Sequence, residues 1–126
     1  MSEQEHNIQV ACVTWFRYQF PNYVCFAVPN GSKRPKQTKQ LANGAVATYS
    51  AVAKKLKDEG ALAGVADLVL VGWQKTVFVE MKTPTGRQQE SQKNFEAKVT
   101  KLGHEYHVCH SLEEFMAVCK AAFYKK

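Results

Sequence analysis

A pair of apolar runs, residues 67–72 and 76–82, constrains the fold of this chain more than any other feature. The runs flank the segment GWQK and are rich in valine, leucine or phenylalanine, which favours two strands joined as a β-hairpin. The second run carries Glu80 and Lys82. Because residues two apart in a strand point to the same side, this acid and this base share one face of the sheet. Burying both costs free energy unless they are paired or have a task, so the hairpin is a candidate location for chemistry.

The segments around the hairpin predict an α/β fold with the element order α-β-α-β-β-α-β-α. Apolar residues recur at helical spacing in four segments, and two further segments have the composition of strands. The predicted helices are 3–20, 45–59, 87–102 and a last one running from the N-cap Ser111, with Glu114 in a capping box, to Tyr124, and the further strands are 23–31 and 105–110. This order suits a small mixed sheet with helices on both faces.

Length and composition predict a single domain spanning residues 1–126, because the chain has 126 residues of which 45% are hydrophobic. No apolar run approaches the roughly 20 residues that cross a bilayer, and the N-terminal MSEQEHNIQ lacks the basic start and apolar centre of a signal peptide. We therefore expect a cytoplasmic protein without membrane contact. Its cysteines form no CxxC pair and are expected to be free buried thiols. They are Cys12, Cys25, Cys109 and Cys119.

Positive charge is concentrated in the first half of the chain. The formal net charge is +6, and no acidic residue lies between Glu5 and Asp58. A purely basic interval predicts a polyanionic partner such as DNA, although a solvated basic surface gives the same pattern. The candidate DNA-binding residues are Lys33, Arg34, Lys36 and Lys39 in the polar segment SKRPKQTKQ, together with Lys54 and Arg87.

Asp67 adds a second acid to the hairpin. It opens the first run, so in an antiparallel pair its carboxylate can reach the same end as Glu80. Two carboxylates and a backbone carbonyl, such as that of Met81, are the oxygen ligands that Mg²⁺ prefers. A cation held there would neutralise a phosphodiester and lower the pKa of a bound water, and Lys82 beside it could orient that water or stabilise the developing charge. Gln92, on the following predicted helix, could hydrogen-bond the water or Lys82.

These residues resemble a known motif. The resemblance lies in three pieces of sequence: Gly64-Val65-Ala66-Asp67, Glu80-Met81-Lys82-Thr83-Pro84, and Gln92, ten residues past the lysine. The chain resembles the VRR-NUC family, a branch of the PD-(D/E)xK nuclease superfamily. The family pattern has a proline where this chain has Ala66. Because proline rigidifies the backbone ahead of the aspartate, alanine is expected to loosen the site without removing a ligand.

The resemblance covers most of the chain. Glu5 and Gln9 are similar to the acid and the amide of the family's first helix, PNG at 29–31 is similar to its strand-turn signature, and LGHEYHVCHSLEEF is similar to its closing strand and helix. Glu5 is then either a third acid of the metal site or a favourable charge in the first turn of a helix, and both interpretations stay open.

The resemblance implies a restriction-endonuclease-like mixed central sheet flanked by helices, and metal-dependent cleavage of DNA. It implies Asp67, Glu80 and the Met81 carbonyl as ligands of Mg²⁺ or Mn²⁺, and Lys82, Gln92 and Glu5 as catalytic residues. The resemblance also implies a homodimer that cuts branched DNA, like the stand-alone family members of phages and bacteria. The chain is thus expected to be a Holliday junction resolvase in a bacterial or phage-infected cell, with a two-fold dimer presenting two sites to a four-way junction.

Other functions stay open. A sequence-specific restriction-type nuclease needs elements that read bases in the major groove, and no such insertion is evident in a chain of this length. A flap nuclease would use the same site on another branched substrate. A catalytically silent DNA-binding module would keep the fold without turnover. A zinc site at His104, His107 and His110 is disfavoured, because strand alternation places His107 on the opposite face from the other two.

Overall fold

The structure, a computed structural model, describes residues 1–29, 39–40, 46–47 and 49–124. Within those residues the chain forms four helices and six strands. In chain order they are α1 (Glu3–Gln19), β1 (Val24–Ala27), β2 (Lys39–Gln40), β3 (Val46–Ala47), α2 (Tyr49–Asp58), β4 (Leu68–Gly72), β5 (Lys75–Met81), α3 (Glu90–Lys101), β6 (Glu105–Cys109) and α4 (Leu112–Phe123). The predicted α/β class and element order are confirmed. Strands β2 and β3 are additions, and each is too short to show a period-two pattern in sequence. The helix predicted over 45–59 is wrong at its start, because residues 46–47 form β3 and α2 begins at Tyr49.

The element ends differ from the predicted ones by a few residues. Helix α3 begins at Glu90 rather than at residue 87, because the preceding residues form a turn in which the Gly86 N–H donates to the Thr83 carbonyl oxygen at 2.9 Å. Strand β1 ends at Ala27. The turn expected at Asn30 and Gly31 lies outside the described residues.

The sheet has the strand order β1-β4-β5-β6, with β2 and β3 pairing separately. Strands β1, β4 and β5 are antiparallel neighbours, whereas β5 and β6 are parallel. Leu68 of β4 pairs with Val79 of β5, so one step further along both strands Asp67 lies opposite Glu80. The hairpin register therefore places the two predicted acids side by side at one end of the sheet.

The sheet buries both of its faces. Alternate residues of the hairpin, such as Leu70 and Val79, are fully buried and pack with Cys12 of α1 and Phe115 of α4 in the main core. The opposite face packs on α3, where the ring of Phe95 meets those of Phe78 and Tyr106 at centroid distances of 5.4 and 6.0 Å. Asp67 and Glu80 follow the alternation onto this second face, which is called the α3 face below.

An aromatic cluster joins both ends of the chain. Phe20, just past α1, stacks on Tyr23 at a centroid distance of 5.5 Å and meets Phe123 of α4 at 5.6 Å. Arg17, in the last turn of α1, donates to the carbonyl oxygen of Cys25 in β1 at 3.0 Å. These contacts hold α1 and α4 together over the main-core face.

Helix α4 begins as the sequence predicts, with one change. The Ser111 side chain accepts a hydrogen bond from the Glu114 N–H at 3.1 Å, which is the expected N-cap. The Glu114 carboxylate, however, accepts from the His110 N–H at 2.9 Å instead of from Ser111. The Glu114 carboxylate therefore bonds to the backbone one residue before the N-cap, where the capping-box pattern predicts a bond to the N-cap residue itself.

All four cysteines are buried free thiols, as expected. Burial raises the pKa of Cys25 to about 11 and the pKa values of Cys12 and Cys109 to about 12, and it also raises the pKa of Cys119. None of the helices in the described residues is long and apolar enough to cross a bilayer.

Candidate active site

Two buried acids lie on neighbouring strands at the end of the sheet. Asp67 is 3% exposed and Glu80 is 2% exposed, on the α3 face. Acidic side chains are rarely buried so completely unless they are paired or bind a cation. Because they lie opposite each other in the hairpin register, the fold brings together the two predicted metal ligands.

Asp67 is fixed by the strands on both sides of it. Its Oδ2 atom accepts a hydrogen bond from the Met81 N–H of β5 at 2.8 Å. Its own carbonyl oxygen accepts from the Val28 N–H, just past β1, at 2.9 Å. The carboxylate therefore has a set direction before any ligand binds. Met81 contributes its N–H here, and the role of its carbonyl as a metal ligand stays a prediction.

Glu80 lies between an amide and an ammonium group. Its Oε2 atom accepts from Gln92 Nε2 at 2.8 Å and lies 3.6 Å from Lys82 Nζ. The Lys82 side chain is only 11% exposed, so this is a largely buried ion pair. The acid and the base that share a strand face in the sequence are thus direct neighbours in the structure.

Gln92 bonds with both ends of its amide. Besides donating to Glu80, its Oε1 atom accepts from the Gln89 N–H at the start of α3 at 2.8 Å. The two bonds fix which end of the amide faces the carboxylate, because only the NH₂ end can donate. The structure places Gln92 on Glu80, and its proposed contact with Lys82 or a water stays a prediction.

Gly64 allows this end of α3 to approach the loop before β4. Its φ of +85° is a left-handed conformation, and a Cβ added there would lie 2.1 Å from the Ser91 carbonyl oxygen. Ala66 is fully buried beside Asp67. The glycine of the motif is thus a requirement of backbone packing next to the acid.

Glu5 has a role in helix capping. Its N–H donates to the Ser2 hydroxyl at 3.1 Å, and its Oε1 atom accepts from the Ser2 N–H at 3.2 Å, which forms a capping box. Gln9, one turn further along α1, has a buried Oε1 atom without a hydrogen-bond partner among the described residues. The assignment of Glu5 to the catalytic site remains a prediction.

The arrangement of the acids fits a hard divalent cation. Asp67 and Glu80 bring two formal negative charges into a buried place where Lys82 brings one positive charge, and their donor atoms are carboxylate oxygens. Residues 1–29 and 49–124 contain no group of three or more His, Cys, Asp or Glu side chains that could hold a metal ion. A site here would use the two carboxylates and complete its shell with backbone and solvent oxygens.

The candidate DNA-binding residues fall into two groups. Lys33, Arg34 and Lys36 lie outside the described residues, as does the side chain of Lys39 in β2. Lys54 is exposed on α2 and pairs with Asp58 at 2.8 Å between Nζ and Oδ2. Arg87 is exposed in the loop that connects Lys82 to α3. Arg87 is therefore the candidate nearest in sequence to the buried acids.

Two of the four histidines lie beside acids. His107 Nε2 lies 3.2 Å from Glu105 Oε1, and His110 Nδ1 lies 3.1 Å from Glu114 Oε1. Glu105 also pairs with Lys75 at 2.8 Å between Oε2 and Nζ. His107 and His110 therefore each have an acidic neighbour within four residues in sequence.

Sequence reasoning did not identify Gln88 and Tyr106, which lie beside the site. Gln88 Nε2 donates to the Tyr106 hydroxyl at 3.3 Å, and Tyr106 is 8% exposed on the α3 face. Burial is the main cause that raises the pKa of Tyr106, and the nearby carboxylates of Glu80, Glu96 and Asp67 add to it. The only signal in the sequence is the pair of glutamines that precedes α3.

Comparisons with known proteins cover most of the chain. The family model of the VRR-NUC domain matches residues 3–113. A solved structure described as a VRR_NUC domain protein has a TM-score of 0.66 and 18% sequence identity, with 98% of this chain and 91% of that chain covered. At this identity the likeness shows a shared fold. None of the curated proteins matches the sequence.

Proposed function

The chain belongs to the VRR-NUC domain family, and we propose that it is a Mg²⁺- or Mn²⁺-dependent endonuclease that hydrolyses phosphodiesters in branched DNA. The family has a nuclease fold and DNA is the substrate that it implies. The observation that carries the finer proposal is the buried set of Asp67, Glu80 and Lys82, with Lys82 Nζ at 3.6 Å from Glu80 Oε2. A module that only binds DNA gains nothing from two buried acids near a polyanion.

Asp67 and Glu80 would hold the cation, with the Met81 carbonyl as a further oxygen ligand. Such an ion, when bound, neutralises the phosphate and lowers the pKa of its water. The protein's part is to present the two carboxylates in a fixed direction. Asp67 Oδ2 is held by the Met81 N–H at 2.8 Å and Glu80 Oε2 by the Gln92 amide at 2.8 Å.

Lys82 would act on the phosphate or on the attacking water. Its ammonium group lies 3.6 Å from Glu80 Oε2, and 11% of its side chain is exposed. A cation in a largely buried place stabilises charge that develops on a phosphate more strongly than one in water. Lys82 would therefore orient the water and stabilise the transition state.

The basic surface would bind the DNA phosphates. The net charge of +6 favours a polyanion, and Arg87 is exposed in the loop that follows Lys82. We include Lys33, Arg34, Lys36, Lys39 and Lys54 as further phosphate contacts.

The preference for a four-way junction rests on the family resemblance. A homodimer with two-fold symmetry would present two sites to two strands of a symmetric junction, which gives paired cuts. We propose such a dimer acting as a Holliday junction resolvase.

The test is a cleavage assay on labelled four-way junction, flap, linear duplex and single-stranded DNA with Mg²⁺, Mn²⁺ or EDTA. The wild type and Lys82→Ala are compared, with Lys101→Ala on the exposed last turn of α3 as the matched control. Paired symmetric cuts in the junction that disappear with EDTA and in Lys82→Ala support the proposal in full. Cutting of flaps alone keeps the nuclease and excludes the resolvase. Junction binding without cutting at any metal concentration excludes the enzyme, and full activity of Lys82→Ala excludes the role of Lys82.

A further inference from the structure

Gln88 connects the loop after Lys82 to two different elements. Its Nε2 atom donates to Glu96 Oε1 on α3 at 3.0 Å and to the Tyr106 hydroxyl on β6 at 3.3 Å. Both contacts are part-buried, which shields them from competing water. A side chain with anchors on two elements has its backbone fixed relative to both.

The peptide bond after Gln88 connects the fixed position of Gln88 to Gln92. That bond carries the Gln89 N–H, which donates to Gln92 Oε1 at 2.8 Å. The Nε2 atom of the Gln92 side-chain amide in turn donates to Glu80 Oε2 at 2.8 Å. Because the peptide unit is planar, fixing Gln88 limits the directions that the Gln89 N–H can take.

We propose that Gln88 is a positioning residue for the Glu80 carboxylate, acting through the Gln89 N–H and the Gln92 amide, with Tyr106 and Glu96 as its anchors. The inference rests on the proposed function, in which Glu80 is a metal ligand. Groups that orient a ligand from outside the first shell change metal affinity without touching the metal. Gln88 touches neither the metal nor the DNA in this role.

A purely structural role for Gln88 predicts a different result. If Gln88 only ties the loop to the sheet, its loss lowers the free energy of unfolding and leaves the metal affinity of the folded protein unchanged. Metal affinity and the exchange rate of the Gln89 N–H therefore separate the two roles. Neither measurement needs DNA.

The experiment compares Gln88→Met, Tyr106→Phe and Glu96→Gln, with Tyr18→Phe as a control because Tyr18 is 85% exposed. Calorimetry gives the dissociation constant for Mn²⁺, and NMR gives the hydrogen exchange of the Gln89 N–H in the metal-free protein. We expect Gln88→Met to raise the dissociation constant about three- to tenfold, less than the ~10–100-fold that follows loss of a direct partner of a ligand. Tyr106→Phe removes one anchor and should have a smaller effect, and Glu96→Gln keeps an acceptor oxygen and should match the wild type.

A second series repeats Gln88→Met in a Gln92→Ala background. If Gln88 acts through Gln92, its effect on Mn²⁺ affinity disappears there, because the connection to Glu80 is already broken. An effect of the same size in both backgrounds, or an unchanged affinity in Gln88→Met alone, overturns the inference while the nuclease proposal stands. Should Gln92→Ala not fold, unchanged exchange of the Gln89 N–H in Gln88→Met overturns it equally. A wild type that binds no Mn²⁺ removes the proposed function and this inference with it.

Discussion

The backbone of Gly64 lies against the carbonyl group of Ser91, so closely that a Cβ on residue 64 would be 2.1 Å from the Ser91 oxygen. The contact joins the loop before Asp67 to the first turn of α3, which carries Gln92. Because both partners in the contact are backbone, a side-chain rotation cannot relieve it. The loop before one acid and the helix turn that carries the amide bonded to the other therefore pack together at a residue without a side chain.

Gly64→Ala should destabilise the protein more than Gly60→Ala. Both glycines have positive φ, +85° and +109°, but a Cβ at Gly60 would meet nothing within 4 Å. Gly60→Ala should then cost about 1–2 kcal/mol from backbone strain alone. Gly64→Ala adds a collision that costs a further ~1–3 kcal/mol of unfolding free energy. Urea denaturation of the two variants measures the difference, and equal losses would refute the close packing at Ser91.

Asp67→Asn should separate folding from metal binding. An asparagine can still accept the Met81 N–H through its amide oxygen, so the free energy of unfolding should change little. The loss of a charged ligand should weaken Mn²⁺ binding at least ~100-fold. Asp67→Ala, by comparison, leaves the buried N–H without an acceptor and should cost about 1–3 kcal/mol of stability.

Calorimetry with Mn²⁺ and urea denaturation test both parts of this prediction. The matched control is Asp58→Asn, because Asp58 is 63% exposed on α2. Undiminished Mn²⁺ binding by Asp67→Asn would show that the cation is held elsewhere.

Lys75→Met should change how stability depends on pH. The hydrogen bond from Lys75 is the largest cause that lowers the pKa of Glu105 from its ordinary value of 4.5, and His107 lowers it further. Because the folded-state pKa lies below the unfolded one, the Glu105 carboxylate stabilises the fold above pH 4.5, and this contribution is lost as the pH falls through the folded pKa. Lys75→Met should flatten that part of the profile.

Urea denaturation at a series of pH values, from neutral to acidic, measures the effect. A pH-independent offset is also expected, because Lys75 Nζ donates to the Ala122 carbonyl oxygen at 3.4 Å as well. Only the slope reports on Glu105. An identical slope for the variant and the wild type would mean that the Lys75–Glu105 pair is not formed in solution.

The cysteines should be unreactive in the folded protein. With a pKa of about 11 for Cys25, only ~0.1% of that thiol is ionised at pH 8, and the buried position blocks access as well. A chromogenic disulfide reagent should therefore label all four cysteines only after unfolding. Rapid labelling of one cysteine under native conditions would contradict the buried position of that thiol.

The sequence is sufficient to predict the location of the acids, and the reason is local. Strand alternation places Glu80 and Lys82 on one face, and the antiparallel register places Asp67 opposite Glu80. These relationships depend on period two and on the hairpin turn alone. The element order follows from similar short-range patterns.

The contacts of Gln92 and Gln88 could not be predicted in the same way. Each depends on where α3 begins and on how it lies across the sheet, which no pattern within the helix specifies. The bond from Gln92 to Glu80 is therefore not foreseen from the sequence, and the predicted contact with Lys82 or a water stays a prediction. Tyr106 enters the same network from β6, and its hydroxyl is recognisable as a partner only once that strand lies beside β5.

The acids Asp67 and Glu80, together with Lys82 and Gln92, come from one uninterrupted stretch of chain that contains β4, β5 and the start of α3. Contacts between residues that are near in sequence close small loops, and a hairpin of this kind forms in about 1–10 μs. We therefore expect the carboxylates to meet early in folding, before the distant α1 and α4 dock together. The arrangement that the proposed chemistry requires would then form with the first tertiary contacts of the chain instead of with its last ones.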